Sequence, residues 1–477
     1  MGYIGGGYAE GLRGSTDWTR IIYEAGPVPE GVTGGSVILY GRDATSGTAW
    51  FDDAEVVELD EPMASISCEP TGRLFAELTP TVRLRARLSN TCTADPNDLL
   101  FVVKHRASGP PRELGHAAFM NLEAEIAIPT GDLCYGENQL EATLATTGGG
   151  GLLGRSFTVM RRKLVTVSPV EPSPTGVVGI GRPGPLKVRV TVEHQGADGA
   201  REYHARLSLW REGRPAGRVT VASVSDGSPS MIDVPVAGSA PGLYDLRCEL
   251  FGSPSAPCLA ADECVVTVVD LADRPKNGTY FGLGRVMMVD DRPFIPVGFY
   301  ILSSLDGIPP VDQPWHWQEG RLFPEYYVPI LDKLADSHFN CVIDYGSTVG
   351  GIGQAHAFMD AAASRGIKTI FSVKDLMEGA YWDIYTRNLP WKDLREATRN
   401  VVREFREHPS LIGWYVNDEV IQPGKWQGAV NVFRDVRAED PWHPTLAVHY
   451  DYARLVKYRE ACDIIGTDPY CLTGDIH

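Results

Sequence analysis

A chain of 477 residues is too long for one ordinary core and should divide into several domains. Its hydrophobic content of 43% and charged content of 22% exclude a disordered chain, while 51 glycines and 34 prolines point to turn-rich β structure. A formal net charge of −17 excludes nucleic acid and anionic membrane as natural partners, because like-charged surfaces repel, and leaves a neutral ligand.

The nine cysteines form no Cys-x-x-Cys pair and have no accompanying histidine spacing, so neither a metal nor another cofactor is expected. The start, Met1-Gly-Tyr-Ile-Gly-Gly-Gly7, has neither a basic segment nor an apolar core of the signal-peptide kind, and no run approaches membrane-spanning length.

Residues 1–60 read as short strands and turns: Asp17-Trp18-Thr19, Pro27-Val-Pro-Glu-Gly31, Ser36 to Tyr40, then Gly47-Thr-Ala-Trp-Phe-Asp-Asp53. This order resembles the last strands of a jelly-roll carbohydrate-binding module, which implies that the chain begins inside such a module. From 61 to 168 a second pattern takes over. Val82, Leu84, Ala86 and Leu88 alternate with Arg83, Arg85 and Arg87, the signature of a half-buried strand, and further strands are expected at Leu100–Val103, Leu140–Leu144 and Leu164–Val167. An immunoglobulin-like β-sandwich follows. The proline-rich Ser168–Pro174 reads as a linker, and 175–272 as another immunoglobulin-like sandwich, with strands at Val188–Val192, Ala205–Leu209 and Tyr244–Leu250.

After Asp273 the period changes. Apolar runs at Phe294–Tyr300, Asn340–Tyr345, Ile367–Val373, Leu411–Val416, Pro444–His449 and Asp463–Thr467 alternate with helix-spaced segments. One such segment carries Leu394, Ala397, Val401 and Phe405, and another stops at Gly366. Strands this apolar are buried on both faces, so 280–477 is expected to be a parallel sheet wrapped by helices, the first six units of a (β/α)8 barrel. An open doubly wound sheet is the competitor, but no Gly-rich phosphate loop follows the first strand. Polar residues gather where the strands end: Tyr300, Asp344, Tyr345, Lys374, Asp375, Asp418, Glu419, His449, Asp451, Asp468 and Tyr470. A barrel carries its active site at that rim.

The stretch His408-Pro-Ser-Leu-Ile-Gly-Trp-Tyr-Val-Asn-Asp-Glu419 resembles the fourth-strand motif of the glycoside hydrolase clan that contains family 2. Asp291-Arg-Pro-Phe-Ile-Pro-Val-Gly-Phe299 resembles the first strand of that clan, and Asp463-Ile-Ile-Gly-Thr-Asp-Pro-Tyr470 its sixth. The resemblance implies hydrolysis of O-glycosidic bonds in a poly- or oligosaccharide, in a secreted or extracytoplasmic protein. By position Glu419 would be the acid that protonates the leaving oxygen and then the base that activates water. Asp418 stands where these enzymes have Asn; it can accept from a sugar hydroxyl but, when ionised, cannot donate. Its charge would raise the proton affinity of Glu419. Tyr300, Asp344, Lys374, His449, Asp468 and Tyr470 are the expected substrate contacts.

A retaining mechanism takes a second carboxylate about 5 Å away. The resemblance places it at the end of a seventh strand, past His477, so this chain by itself is expected to be inactive. Two alternatives remain open at this stage: a non-catalytic carbohydrate-binding or scaffold protein with a degenerate barrel, and a metal-dependent hydrolase using Asp344, Asp468 and His449, which lack a recognised ligand spacing.

Overall fold

The computed structural model describes residues 64–89, 95–106, 112–133, 135–146, 151–180, 184–193, 201–281, 285–304, 321–378, 384–420, 423–450 and 455–468, with a few isolated positions besides. The jelly-roll segment expected over 1–60 lies outside the described residues apart from single positions. The chain divides into two compact units, Met1–Arg162 and Lys163–His477.

In the first unit, Ala64–Glu69, Thr81–Leu88 and Glu123–Pro129 form a three-stranded antiparallel sheet. Gly72–Phe75, Gly151–Arg162, Gly136–Thr146, Leu99–Arg106 and Arg112–Ala118 form a five-stranded sheet in that order. The alternation read in Thr81–Leu88 is realised: Val82, Leu84, Ala86 and Leu88 are buried in a core shared with Phe101, Val103, Leu140 and Leu144. The outward arginines lie across from acidic partners, with Arg83 and Arg85 bonded to Glu125 at 2.8 and 2.6 Å. These pairs are solvent-exposed and contribute little; register comes from the buried face.

The second unit opens with the segment expected as a linker, and there the structure corrects the reading. Val165–Glu171 is a strand, paired antiparallel with Leu186–Val192, which also pairs with Ser230–Val234. Leu164, Val165 and Val167 therefore belong to the second sandwich. Proline is tolerated because this is an edge strand: Pro169 lies opposite Val188 beside a register shift, where no ladder donor is needed. The facing sheet runs Val177–Gly179, Cys258–Val269, Gly242–Phe251, Glu202–Arg211, Arg214–Ser225.

Asp262, 6% exposed, ties this sandwich to the helical part of the same unit. It accepts from Lys163 Nζ at 2.9 Å, from the Val167 amide at 2.8 Å and from Arg459, while Lys163 also reaches Glu460 at 2.9 Å. Asp262→Ala would leave two cations facing a buried void and is expected to cost roughly 3–5 kcal/mol, read as a fall in the urea midpoint at unchanged slope. A change below about 1 kcal/mol would mean that solvent takes the place of the carboxylate.

The remaining strands, Gly298–Ile301, Cys341–Asp344, Lys368–Ser372, Leu411–Asp418, Thr445–His449 and Ile464–Thr467, form one parallel sheet whose order follows the chain without reversal. Helices Pro324–Ala335, Gly351–Ala363, Leu394–Phe405, Pro423–Glu439 and Leu455–Tyr458 alternate with them. Local signals hold where they are strong. Asp393 caps Leu394–Phe405 by accepting from the Glu396 amide at 2.8 Å, and Gly366 follows Gly351–Ala363 at φ +71°. The first strand is shorter than its apolar run. It begins at Gly298, where a Cβ would sit 1.7 Å from the Cys341 carbonyl oxygen, so only glycine permits that pairing.

Apolar side chains leave the sheet on both faces. Val342, Phe371, Trp414, Val416 and Ala447 pack against the helices with Leu331, Phe358, Val401, Phe405 and Val436. Cys341, Ile370, Ile412, Tyr415 and Val448 fill the opposite face together with Met287 and Val289. This second, inner face carries the candidate site.

Candidate active site

The strand Leu411–Asp418 is buried from Leu411 through Asn417. Trp414 faces the helices and Tyr415 the inner face. In a regular strand Tyr415 and Asp418, three residues apart, would point to opposite sides. A bulge intervenes: Tyr415 pairs with Leu446 and Asn417 with Ala447, leaving Val416 as the extra residue. The phase change puts Asp418 on the same face as Tyr415, whose Oη donates to Asp418 Oδ1 at 2.5 Å.

Three tyrosines surround this carboxylate. Tyr345, which follows the second strand, donates through Oη to Asp418 Oδ2. Tyr300, from the first strand, donates to Tyr415 Oη at 3.3 Å. The ring centroids of Tyr300, Tyr345 and Tyr415 stand 5.8–6.3 Å apart, within the range of favourable edge and tilted contacts. Lys374, after the third strand, lies 3.8 Å above the Tyr345 ring, bonds Asp375 at 2.6 Å and comes within 3.9 Å of Asp418 Oδ2. Burial pushes the Lys374 ammonium below its ordinary range and the Asp375 carboxyl above it. Burial and the charges of Glu419 and Asp468 push the Asp418 carboxyl up to about 7.

Glu419 follows at the strand tip with φ +52°, a left-handed conformation that is uncommon for a side chain of this kind. Its amide is fixed to the Val448 carbonyl of the fifth strand at 2.9 Å. Backbone strain of this sort persists where the surroundings impose it, and it concentrates at functional positions. Glu419→Gly is accordingly expected to raise stability by roughly 1 kcal/mol while removing the carboxylate; a loss of stability in the urea midpoint would show that the conformation is not strained.

Of the residues expected from sequence, Tyr300, Lys374, Asp418 and Glu419 come together, with Asp468 close enough for its charge to act on Asp418 and Tyr300. Tyr300 is 48% exposed and is the ring most open to a ligand. Two others are not in this group. Asp344 pairs with Phe371 and shares its helix-facing side, fully buried, accepting from the Ser303 amide at 3.1 Å and Ser303 Oγ at 2.7 Å. Burial raises it to about 6, and its bonds organise the loop after the first strand. His449, next to the inward Val448, also turns to the helices, with its ring stacked on Tyr458 at 3.3 Å between centroids. Burial lowers it to about 4, so it is neutral at physiological pH. Tyr470 lies outside the described residues. The structure makes Tyr345, already among the strand-end residues, and Tyr415, an aromatic residue close to the end of its strand, the partners of Asp418. Among the described residues no three His, Cys, Asp or Glu side chains are placed to hold a metal ion.

No family model matches the chain, and neither does any curated protein. Solved structures similar to it include a β-glucuronidase from Bacteroides uniformis, at 12% identity over 82% of this chain and 49% of that one, with a TM-score of 0.27. A glycosyl hydrolase family 2 member from Bacteroides cellulosilyticus is 13% identical over 82% of this chain and 53% of that one, TM-score 0.27. A β-D-mannosidase from Dictyoglomus thermophilum is 13% identical over 76% and 50%, TM-score 0.24. The chain spans about half the length of these structures.

Proposed function

We propose that this chain carries the acid/base half of a glycoside hydrolase site that cleaves O-glycosidic bonds of a poly- or oligosaccharide by a retaining, two-carboxylate route. One observation carries the reading: Glu419 is held in a left-handed conformation at the C-terminal end of a central parallel strand, next to a carboxylate ringed by tyrosines. Glu419 donates its proton to the leaving glycosidic oxygen and afterwards takes one from water. Tyr300 offers an open ring face to the sugar, and Lys374 and Asp468 line the same side. A six-stranded parallel sheet in unbroken chain order supports a (β/α)8 barrel over the doubly wound alternative, which reverses order at a switch point.

The same reading makes the two sandwiches, divided between Arg162 and Lys163, accessory immunoglobulin-like domains, and it places the protein outside the cytoplasm. No described helix is long and apolar enough to cross a membrane. The test is hydrolysis of a panel of aryl glycosides and oligosaccharides by the intact enzyme and by Glu419→Gln. Turnover that survives the substitution sinks the proposal. Oligosaccharide binding at the tyrosine cluster without turnover in either protein decides for a sugar-binding scaffold.

A further inference from the structure

The sequence suggests a sugar hydroxyl as the partner of Asp418, yet three phenols are tied to that carboxylate instead. Tyr415 donates to Oδ1 at 2.5 Å, Tyr345 donates to Oδ2, and Tyr300 donates to Tyr415 Oη at 3.3 Å. A phenol has one proton to give and lone pairs to accept, so Tyr415 can serve Asp418 and Tyr300 at once. The bonds form a chain from the carboxylate to the Tyr300 ring. Burial pushes the Tyr300 phenol up to about 12 and raises the Tyr415 phenol as well, so both keep their protons and remain donors. Tyr415 is fully buried and 19% of the Asp418 side chain reaches solvent, whereas Tyr300 is 48% exposed. The inner members are committed to protein, and the chain ends on an open ring.

Resting on the glycosidase reading, we propose that Asp418 is a positioning residue rather than a sugar contact: through Tyr415 and Tyr345 it anchors an aromatic platform and so fixes the face of Tyr300 on which a sugar ring stacks.

The type of side chain fits that role. An ionised aspartate accepts on both oxygens, whereas asparagine in its place has one acceptor and a donor group and would leave one phenol without its bond. The bulge at Val416 brings the carboxylate to this face; a regular strand would turn it to the helices. Ring contacts of Tyr300 with Tyr345 at 6.2 Å and Tyr415 at 5.8 Å support the platform, and the hydroxyl bonds set its orientation.

The anchor responds to protonation. Above its titration Asp418 accepts from both phenols; below it, one oxygen carries a proton and becomes a donor, so one phenol loses its acceptor. Burial and the charges of Glu419 and Asp468 raise that titration to about 7. Lys374, itself bonded to Asp375, faces the carboxylate at 3.9 Å, and the fifth strand presents Val448.

The test is 13C NMR of the whole chain labelled at tyrosine Cζ, a position that reports the hydrogen bonds of the phenol. Tyr300→Phe, Tyr345→Phe and Tyr415→Phe assign the three resonances. Between about pH 5 and 9 all three should move with one shared midpoint, and Asp418→Asn should abolish that movement. In Tyr415→Phe the Tyr345 resonance should keep its response while Tyr300 loses most of its own. For a glycoside that the enzyme hydrolyses, Tyr415→Phe should raise KM about fivefold with a smaller change in kcat. A Tyr300 resonance that does not titrate, or that keeps its full response in Tyr415→Phe, overturns the proposal, and so does an unchanged KM. If Tyr415→Phe does not fold, Asp418→Asn decides alone: a Tyr300 resonance that still moves as in the unsubstituted chain overturns it. A merely structural Tyr415 would change stability without uncoupling Tyr300. The resonances need no turnover. A Glu419→Gln enzyme that still hydrolyses glycosides ends the glycosidase reading and leaves the anchor as measured, while an uncoupled Tyr300 beside an inactive Glu419→Gln ends the anchor alone.

Discussion

Under the proposed glycosidase reading, Glu419→Gln is expected to lower hydrolysis of unactivated glycosides by roughly a hundred- to ten-thousandfold, the range that a positioned general acid contributes. The substitution keeps the shape of the side chain and the left-handed backbone at φ +52°, and the amide still donates to Val448, so folding is expected to be unchanged. What is lost is the transferable proton. The loss should depend on the leaving group. An activated aryl glycoside departs without protonation and should be much less affected than an alkyl or sugar leaving group. Equal losses across a series of leaving groups would remove the acid role from Glu419 even if activity fell.

Trp414→Ala is expected to cost about 3–5 kcal/mol of stability, the largest single effect in the strand that ends on Glu419. The indole is fully buried between sheet and helices, edge-on to Phe371 at 5.7 Å between centroids. Its Nε1 donates to Asp440 Oδ2 at 2.8 Å, and Asp440 also holds His443 Nδ1 at 2.7 Å and the Trp442 amide at 3.0 Å. Truncation opens a cavity and strips one donor from a carboxylate that is itself fully buried. Trp414→Phe keeps much of the volume and loses the donor, and should cost about 1–3 kcal/mol. Denaturant unfolding measures both. A cost below about 1 kcal/mol for the alanine variant would mean that the helices collapse onto the sheet without the indole.

The same strand shows how far the residues themselves reach. Its apolar run, the bounding Pro409 and the two carboxylates are local signals, and they were legible because they concern one segment at a time. So was the alternation of strand and helix, since each helix carries its own period and each cap its own chemistry, as Asp393 does. The continuation of the edge strand past Val167 to Glu171 was not legible. Its prolines are the mark of a linker, and only the partner strand Leu186–Val192 makes it a strand.

Which of Trp414 and Tyr415 faces the helices was likewise beyond the sequence. A parallel strand buried on both faces is apolar on both, so alternation separates the two side chains without saying which faces the helices. The same ambiguity placed Asp344 and His449 with the ligand groups, when both turn to the helix layer.

By itself, then, the sequence determined the order of strands and helices and the place of Asp418 and Glu419 at a strand end, because those follow from period, capping and composition along the chain. Only the tertiary structure decided which side chains meet. The bulge at Val416 shifts the alternation by one residue, and that shift, set by pairing with Thr445–His449, turns Asp418 toward Tyr345 and Tyr415.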